Sequence, residues 1–283
     1  MKKSFKLICF TLILITPFVF SGNAFAKDKV KLVYVEWACA TASSYVMKAV
    51  IEQNTDYRVE LTPVPAAAMY TALADGNQDA MTAAWFPVTH ADYIKKYKNQ
   101  IVDLGPNMRG AKIGLVVPKY VTINNIEEIN KKYKKFDGKI IGIDPGAGVM
   151  STTEKAMNVY RLSKMNLISS SGPMMTATLR DRYKKNKWVV VTGWIPHWMF
   201  AKFDLKFLND PKKVYGAEET INTLVRKGLK KDMPVVYRIL DNFEWNAAQI
   251  GEVMAMNMEN DKPSENAAKW VRNNPDIVKK WLR

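Results

Sequence analysis

Short β-branched runs alternate with amphipathic stretches along most of this chain, and no other feature restricts the fold as much. Residues 30–35 (VKLVYV) read as a strand and 43–53 as a helix. A strand at 57–61, a helix at 66–74, a short buried strand at 79–84 and a helix at 90–97 follow. An apolar run at 113–117 (IGLVV) opens a second cycle, with a strand at 139–143, a helix at 149–159, a short strand at 167–169, a helix at 176–185 and an apolar strand at 188–192. Strands alternating with helices predict an α/β architecture with mostly parallel sheets. Beyond residue 230 the pattern turns helical, with Pro234 and Pro275 suited to first-turn positions. Two α/β units in one chain suggest two lobes that close around a ligand. The runs at 113–117 and 220–225 (TINTLV) are the expected crossings. That puts 27–112 plus 222–283 in lobe 1 and 113–221 in lobe 2.

The first 26 residues read as a secretory signal rather than as part of this fold. Lys2, Lys3 and Lys6 precede an uncharged stretch at 7–20, and Ala24-Phe25-Ala26 supplies a small-x-small cleavage pattern. The apolar stretch is shorter than the roughly 20 residues a spanning helix needs. Cleavage after Ala26 and a periplasmic location are expected, with no lipid anchor because no Cys stands at the boundary. Cys39 is then the only thiol left, so no internal disulfide is expected. The net charge of +15 raises the question of a polyanion partner. However, lysines such as Lys95, Lys98, Lys131, Lys132, Lys184, Lys230 and Lys279 stand among acids and apolar residues, which reads as a solvated basic surface and not a nucleic-acid site.

The aromatic positions are more informative. Trp37, Trp85 and Trp194 each stand at or just after the carboxyl end of an expected strand, where open α/β sheets place ligands. Two belong to lobe 1 and one to lobe 2, so closure would bring them together. Trp has the best face for a cation, and a cage of indole rings suits a quaternary ammonium, which has methyls to bury and no N–H to satisfy. Trp188, Trp198, Trp245, Trp270 and Trp281 read instead as packing or surface residues. At the other end of such a ligand, residues 144–149 (DPGAGV) form a Gly-rich turn between a strand and a helix, with backbone N–H groups suited to an anion. Asp144 is expected to shape that turn rather than touch ligand. His90 could donate to the same anion or simply cap a helix. The turn is neither a Walker loop nor a dinucleotide fingerprint, so no cofactor is expected, and two His and one mature Cys leave no expected metal site.

Together these residues resemble the glycine betaine-binding proteins of OpuA-type osmoprotectant ABC transporters. The matching stretches are 35–37 (VEW), 84–90 (AWFPVTH), 111–118 (AKIGLVVP), 142–149 (GIDPGAGV), 192–202 (TGWIPHWMFAK), 225–231 (VRKGLKK) and 241–245 (DNFEW), which span nearly all of the chain after the leader. The resemblance implies a two-lobed type II periplasmic-binding-protein fold. It also implies a Trp37, Trp85 and Trp194 prism around the ammonium of glycine betaine or a related zwitterion. The carboxylate would meet His90 and the N–H groups of Gly148 and Val149. It further implies delivery to a separate ABC permease in the inner membrane, with the binding protein monomeric.

One departure stands out. Family members often carry W-D-x-E at the first Trp, and here the acids are replaced by Ala38 and Ala40. That opens carnitine, choline or a sulfonium analogue as alternative ligands. Two other classes remain: a ligand-loaded sensory partner of a membrane receptor, and an enzyme using Cys39 with His90. No spacing supports the latter pair, and no enzymatic activity is expected.

Overall fold

In the computed structural model the described residues are 29–283, so the leader and its cleavage site lie outside them. Nine strands form: β1 (Lys29–Tyr34), β2 (Arg58–Pro63), β3 (Ala80–Phe86), β4 (Ile101–Pro118), β5 (Lys139–Ile141), β6 (Asn166–Ile168), β7 (Val191–Ile195), β8 (Leu205–Phe207) and β9 (Glu219–Arg226). Their order is β2-β1-β3-β9-β4-β7-β5-β6, with β8 on β4. The α/β alternation holds, but the sheet is mixed. β1–β2, β1–β3, β5–β6 and β5–β7 pair in parallel, whereas β3–β9, β4–β9, β4–β7 and β4–β8 are antiparallel. The expectation of mostly parallel pairing fails because two strands between the α/β units return directly against their neighbours, without a crossover helix.

Those two strands organise the molecule. The first part of β4 pairs with β9 as far as Ala111↔Glu219. From Lys112↔Ile195 onward it pairs with β7. The apolar pattern marks only the second part, because the first carries Gly105, Pro106 and Gly110, which are uncommon inside strands. Here they fall at register shifts in the β4–β9 ladder, with Gly105 and Gly110 at φ of 96° and 79°. The 3-10 helix Ile126–Phe136 and strand β8 were also not foreseen.

The helices after β9 return to the first unit, where Pro263–Asn273 and Ala247–Asn260 pack on helix Ala38–Asn54. An aromatic cluster anchors them. Trp270 lies 6.1 Å from both Trp245 and Trp281, and Phe243 lies 5.0 Å from Trp281. The indole N–H groups of Trp270 and Trp281 donate to Glu252 and to the carbonyl of Glu244. These residues close a core, as the sequence suggested. Trp188 packs on Phe136 with Lys135 over its ring. The seven lysines named above are all exposed.

Candidate functional site

Trp37, Trp85 and Trp194 converge on one small cavity, which also touches Thr89, Ile113, Ile143, Ala147, Gly148 and Val149. The lining is almost wholly apolar, and the three rings are 6%, 3% and 4% exposed. Each ring is fixed differently. Trp37 stands between β1 and helix Ala38–Asn54, as the helix N-cap residue. Trp85 and Trp194 lie inside β3 and β7, one residue before the strand ends. The sequence reading placed them just beyond those strands. The strands start and finish later than apolarity alone indicated, because β9 and β4 extend the ladders to Phe86 and Ile195. The indole N–H groups of Trp85 and Trp194 are buried without a partner among the described residues. The packing tryptophans Trp270 and Trp281, by contrast, have theirs satisfied.

Gly148 and Val149 open helix Gly148–Val159, following the expected turn after β5. Ala147 N–H bonds the Asp144 carbonyl and closes the turn. The first N–H groups of a helix have no intrahelical acceptor, so those of Gly148 and Val149 are available to an anion at the cavity wall.

His90 does not line the cavity directly. It is fully buried behind Trp37, with the two rings stacked at 5.7 Å and 27°. Its Nδ1 accepts the backbone N–H of Trp85 at 3.0 Å and lies 3.0 Å from the Tyr70 hydroxyl. Accepting at Nδ1 leaves the proton on Nε2, and Nε2 is a buried donor with no partner among the described residues. Burial pushes the His90 imidazole down to about 3, so it serves as a neutral donor.

Several contributors escaped the sequence reading. Glu219, 1% exposed at the start of β9, accepts the N–H groups of Val88 and Thr89 and the Thr89 hydroxyl. It thereby fixes the turn that carries His90. Asp144 does more than shape its own turn, since its Oδ1 accepts the Trp37 indole N–H at 3.0 Å. Tyr93 donates its hydroxyl to the Gly146 carbonyl at 2.9 Å. Acidic and phenolic residues have no local sequence signal for such long-range partners. Only Asp144's place beside the Gly-rich turn hinted at it.

Cys39 offers nothing nucleophilic. It is 2% exposed, and burial pushes its thiol up to about 11, the opposite of an activated cysteine. Among the described residues no cluster of His, Cys, Asp or Glu is placed to hold a metal.

Residues 28–273 match the family described as the substrate binding domain of ABC-type glycine betaine transport systems. The chain belongs to that family. It is 41% identical to lactococcal OpuAC, solved closed with glycine betaine, with a TM-score of 0.86 and 91% of this chain and 100% of that one covered. It is 40% identical to the glycine/betaine/L-proline-binding protein ProX of Borrelia burgdorferi, with a TM-score of 0.88 and coverage of 90% and 97%. A curated relative, the glycine betaine/carnitine transport binding protein GbuC of Listeria monocytogenes, is 54% identical over 144 residues. That match covers 50% of this chain and about half (48%) of the relative's length. The two-lobed fold expected from the sequence is the fold of these solved proteins.

The histidines give the protein a defined acid response. His197, which accepts the Met199 N–H at Nδ1, is also pushed down by burial to about 3. An unfolded chain takes up protons on both rings from about pH 6.5, while the folded chain does not until about pH 3. The stability these two histidines contribute is therefore fully present above pH 6.5 and is lost as the pH drops through that window, on the order of 1 kcal/mol per unit for each. Thermal midpoints measured from pH 7 to pH 4 should fall, and His90→Gln should remove its share of the slope.

Proposed function

We propose that this protein captures glycine betaine, or a closely related quaternary ammonium zwitterion, by closing its lobes, and delivers it to an ABC permease in the inner membrane. One observation carries the reading: three indole rings from three separate elements share an apolar cavity whose wall also presents the first N–H groups of a helix. The trimethylammonium would sit among Trp37, Trp85 and Trp194, where cation–π attraction and methyl burial act together. The carboxylate would meet the N–H groups of Gly148 and Val149 and reach the unpaired Nε2–H of His90. A desolvated cation–π contact contributes about 2 kcal/mol or more. Three contacts therefore supply most of the roughly −8 kcal/mol of micromolar binding.

We assign residues 27–112 plus 222–283 to lobe 1 and 113–221 to lobe 2, with β4 and the chain entering β9 as the crossings. The reading includes removal of the leader after Ala26, a periplasmic location, a monomeric protein and a permease carried on another chain. Among the described residues no helix is long and apolar enough to cross a membrane.

A second ligand reading has its own support. Ala38 and Ala40 stand where acids are common in the family, and Ala40 is fully buried in the helix that Trp37 caps. Two small neutral residues there remove negative charge beside the ring, which opens the site to other ammonium compounds such as carnitine.

Calorimetric titration with glycine betaine, proline betaine, carnitine, choline and glycine tests both readings. Micromolar binding of a betaine with no response to glycine is the expected result. Choline exceeding glycine betaine would overturn the carboxylate site, and silence across the panel would overturn the ligand class. Betaine affinity should stay flat from pH 8 to pH 5, because His90 donates while neutral. His90→Ala should weaken carboxylate-bearing ligands about tenfold and choline little, the loss of one hydrogen bond to a charged group.

A further inference from the structure

The Gly-rich turn of the second lobe is gripped by the first lobe at three points. Trp37 donates its indole N–H to Asp144 Oδ1 at 3.0 Å. Tyr93 donates to the Gly146 carbonyl at 2.9 Å. Gly148 lies against Thr89 so closely that a Cβ there would come 1.9 Å from the Thr89 carbonyl oxygen. The first contact differs from the others because its donor is a ring of the cage itself.

Trp37 is buried and held through its backbone, but it lies outside the strand ladders. It follows a strand, N-caps a helix without a side-chain capping bond, and stacks on a buried histidine. Trp85 and Trp194, by contrast, sit within strand ladders, paired with Ile221 and Ile113. Asp144 is committed in the opposite sense. Its carbonyl closes the anion turn through Ala147 N–H, its Oδ1 takes the Trp37 N–H, and its Oδ2 is buried without a partner among the described residues. A half-buried carboxylate with one oxygen sealed off and a single side-chain donor is better satisfied while that donor stays in place.

We infer that Asp144 is the positioning residue of the cage: it turns Trp37 to face the cation as the lobes meet, so that closure and completion of the aromatic prism are one event. The inference rests on the ammonium-binding reading above and names a part of that site the family resemblance did not assign. An open molecule parts Asp144 from Trp37, leaving the ring free to turn and the prism incomplete. The closed molecule satisfies the indole N–H and the carboxylate together, which adds the differential affinity for the closed state that ligand-driven closure requires. Asp144 belongs to the ammonium end of the ligand even though it lies in the turn that serves the carboxylate end.

A double-mutant cycle measured with glycine betaine tests this. Asp144→Ala should weaken binding about tenfold or more, as expected for a lost hydrogen bond to a charged group. Trp37→Phe keeps a ring but removes the N–H, and should cost a similar factor. The double variant should fall well short of the product of the two losses, because the same bond is removed twice. Asp144→Asn retains an acceptor at Oδ1 and should stay within about threefold of the parent. X-ray scattering should show less compaction on adding ligand for Asp144→Ala than for the parent, with the thermal midpoint of the free protein little changed. Losses that simply multiply, or an Asn variant as weak as the Ala variant, would overturn the positioning role. Failure of the parent itself to bind any ammonium ligand would instead overturn the proposed function, and the two failures are distinguishable.

Discussion

Trp85→Ala is expected to weaken glycine betaine binding on the order of 30-fold or more while leaving the protein folded. Trp37→Ala and Trp194→Ala should do the same. The magnitude follows from one desolvated cation–π contact of about 2 kcal/mol together with the lost apolar wall. Trp270→Ala is the control. Trp270 is 3% exposed in the aromatic cluster of the C-terminal helices, so its truncation should cost about 3–5 kcal/mol of stability. It touches no part of the cavity, so betaine affinity should stay near the parent value. Calorimetry and thermal melts on the same samples separate the two effects. Trp85→Phe sharpens the test, since a phenyl ring retains a face but a weaker one, and an intermediate loss of several-fold is expected. Equal affinity losses for Trp85→Ala and Trp270→Ala would overturn the cage assignment.

The convergence of Trp37, Trp85 and Trp194 was legible in the sequence because strand polarity is. Trp37, Trp85 and Trp194 each mark the carboxyl end of an apolar run, and sheets of this class gather ligands there. The DPGAGV turn was legible for a similar reason: a Gly-rich passage between a strand and a helix has few other geometries. What could not be read was whatever depends on residues far apart in sequence. Glu219 lies 130 positions from Thr89, and Asp144 lies 107 from Trp37. An acid carries no periodicity that reveals its partner. The antiparallel run of β4 was hidden as well, because its first part carries Gly105, Pro106 and Gly110 at irregular ladder positions where ordinary strands carry branched residues. His90 shows the intermediate case. Local sequence favours a surface or helix-capping role over a ligand donor, and only the resemblance raises the second. Only the Trp85 N–H bonded to Nδ1 fixes the tautomer that frees Nε2–H.

Gly148→Ala is expected to abolish ligand capture, at least 100-fold in affinity, without damaging either α/β unit. The residue keeps its N–H on substitution, so the carboxylate donor survives and the loss isolates a steric effect. The added methyl would lie 1.9 Å from the Thr89 carbonyl oxygen and 2.6 Å from Thr89 Cγ2. Thr89 cannot retreat, because its N–H and hydroxyl are bound to the buried Glu219 and the next residue, His90, is fully buried. A methyl against a backbone carbonyl at that distance leaves one escape, which is for the lobes to stay apart. An open lobe arrangement relieves the clash, so the free protein should melt near the parent temperature. The upward shift that ligand normally produces should vanish, since that shift measures binding to the folded state. Gly146→Ala, two residues earlier in the same turn, provides the comparison. A Cβ there would meet only the Tyr93 hydroxyl, at 4.0 Å, which is ordinary contact. Its binding should match the parent. A Gly148→Ala variant that binds normally would show that the turn does not rest against Thr89 in the loaded protein, and the closed packing of the two lobes would then have to be redrawn.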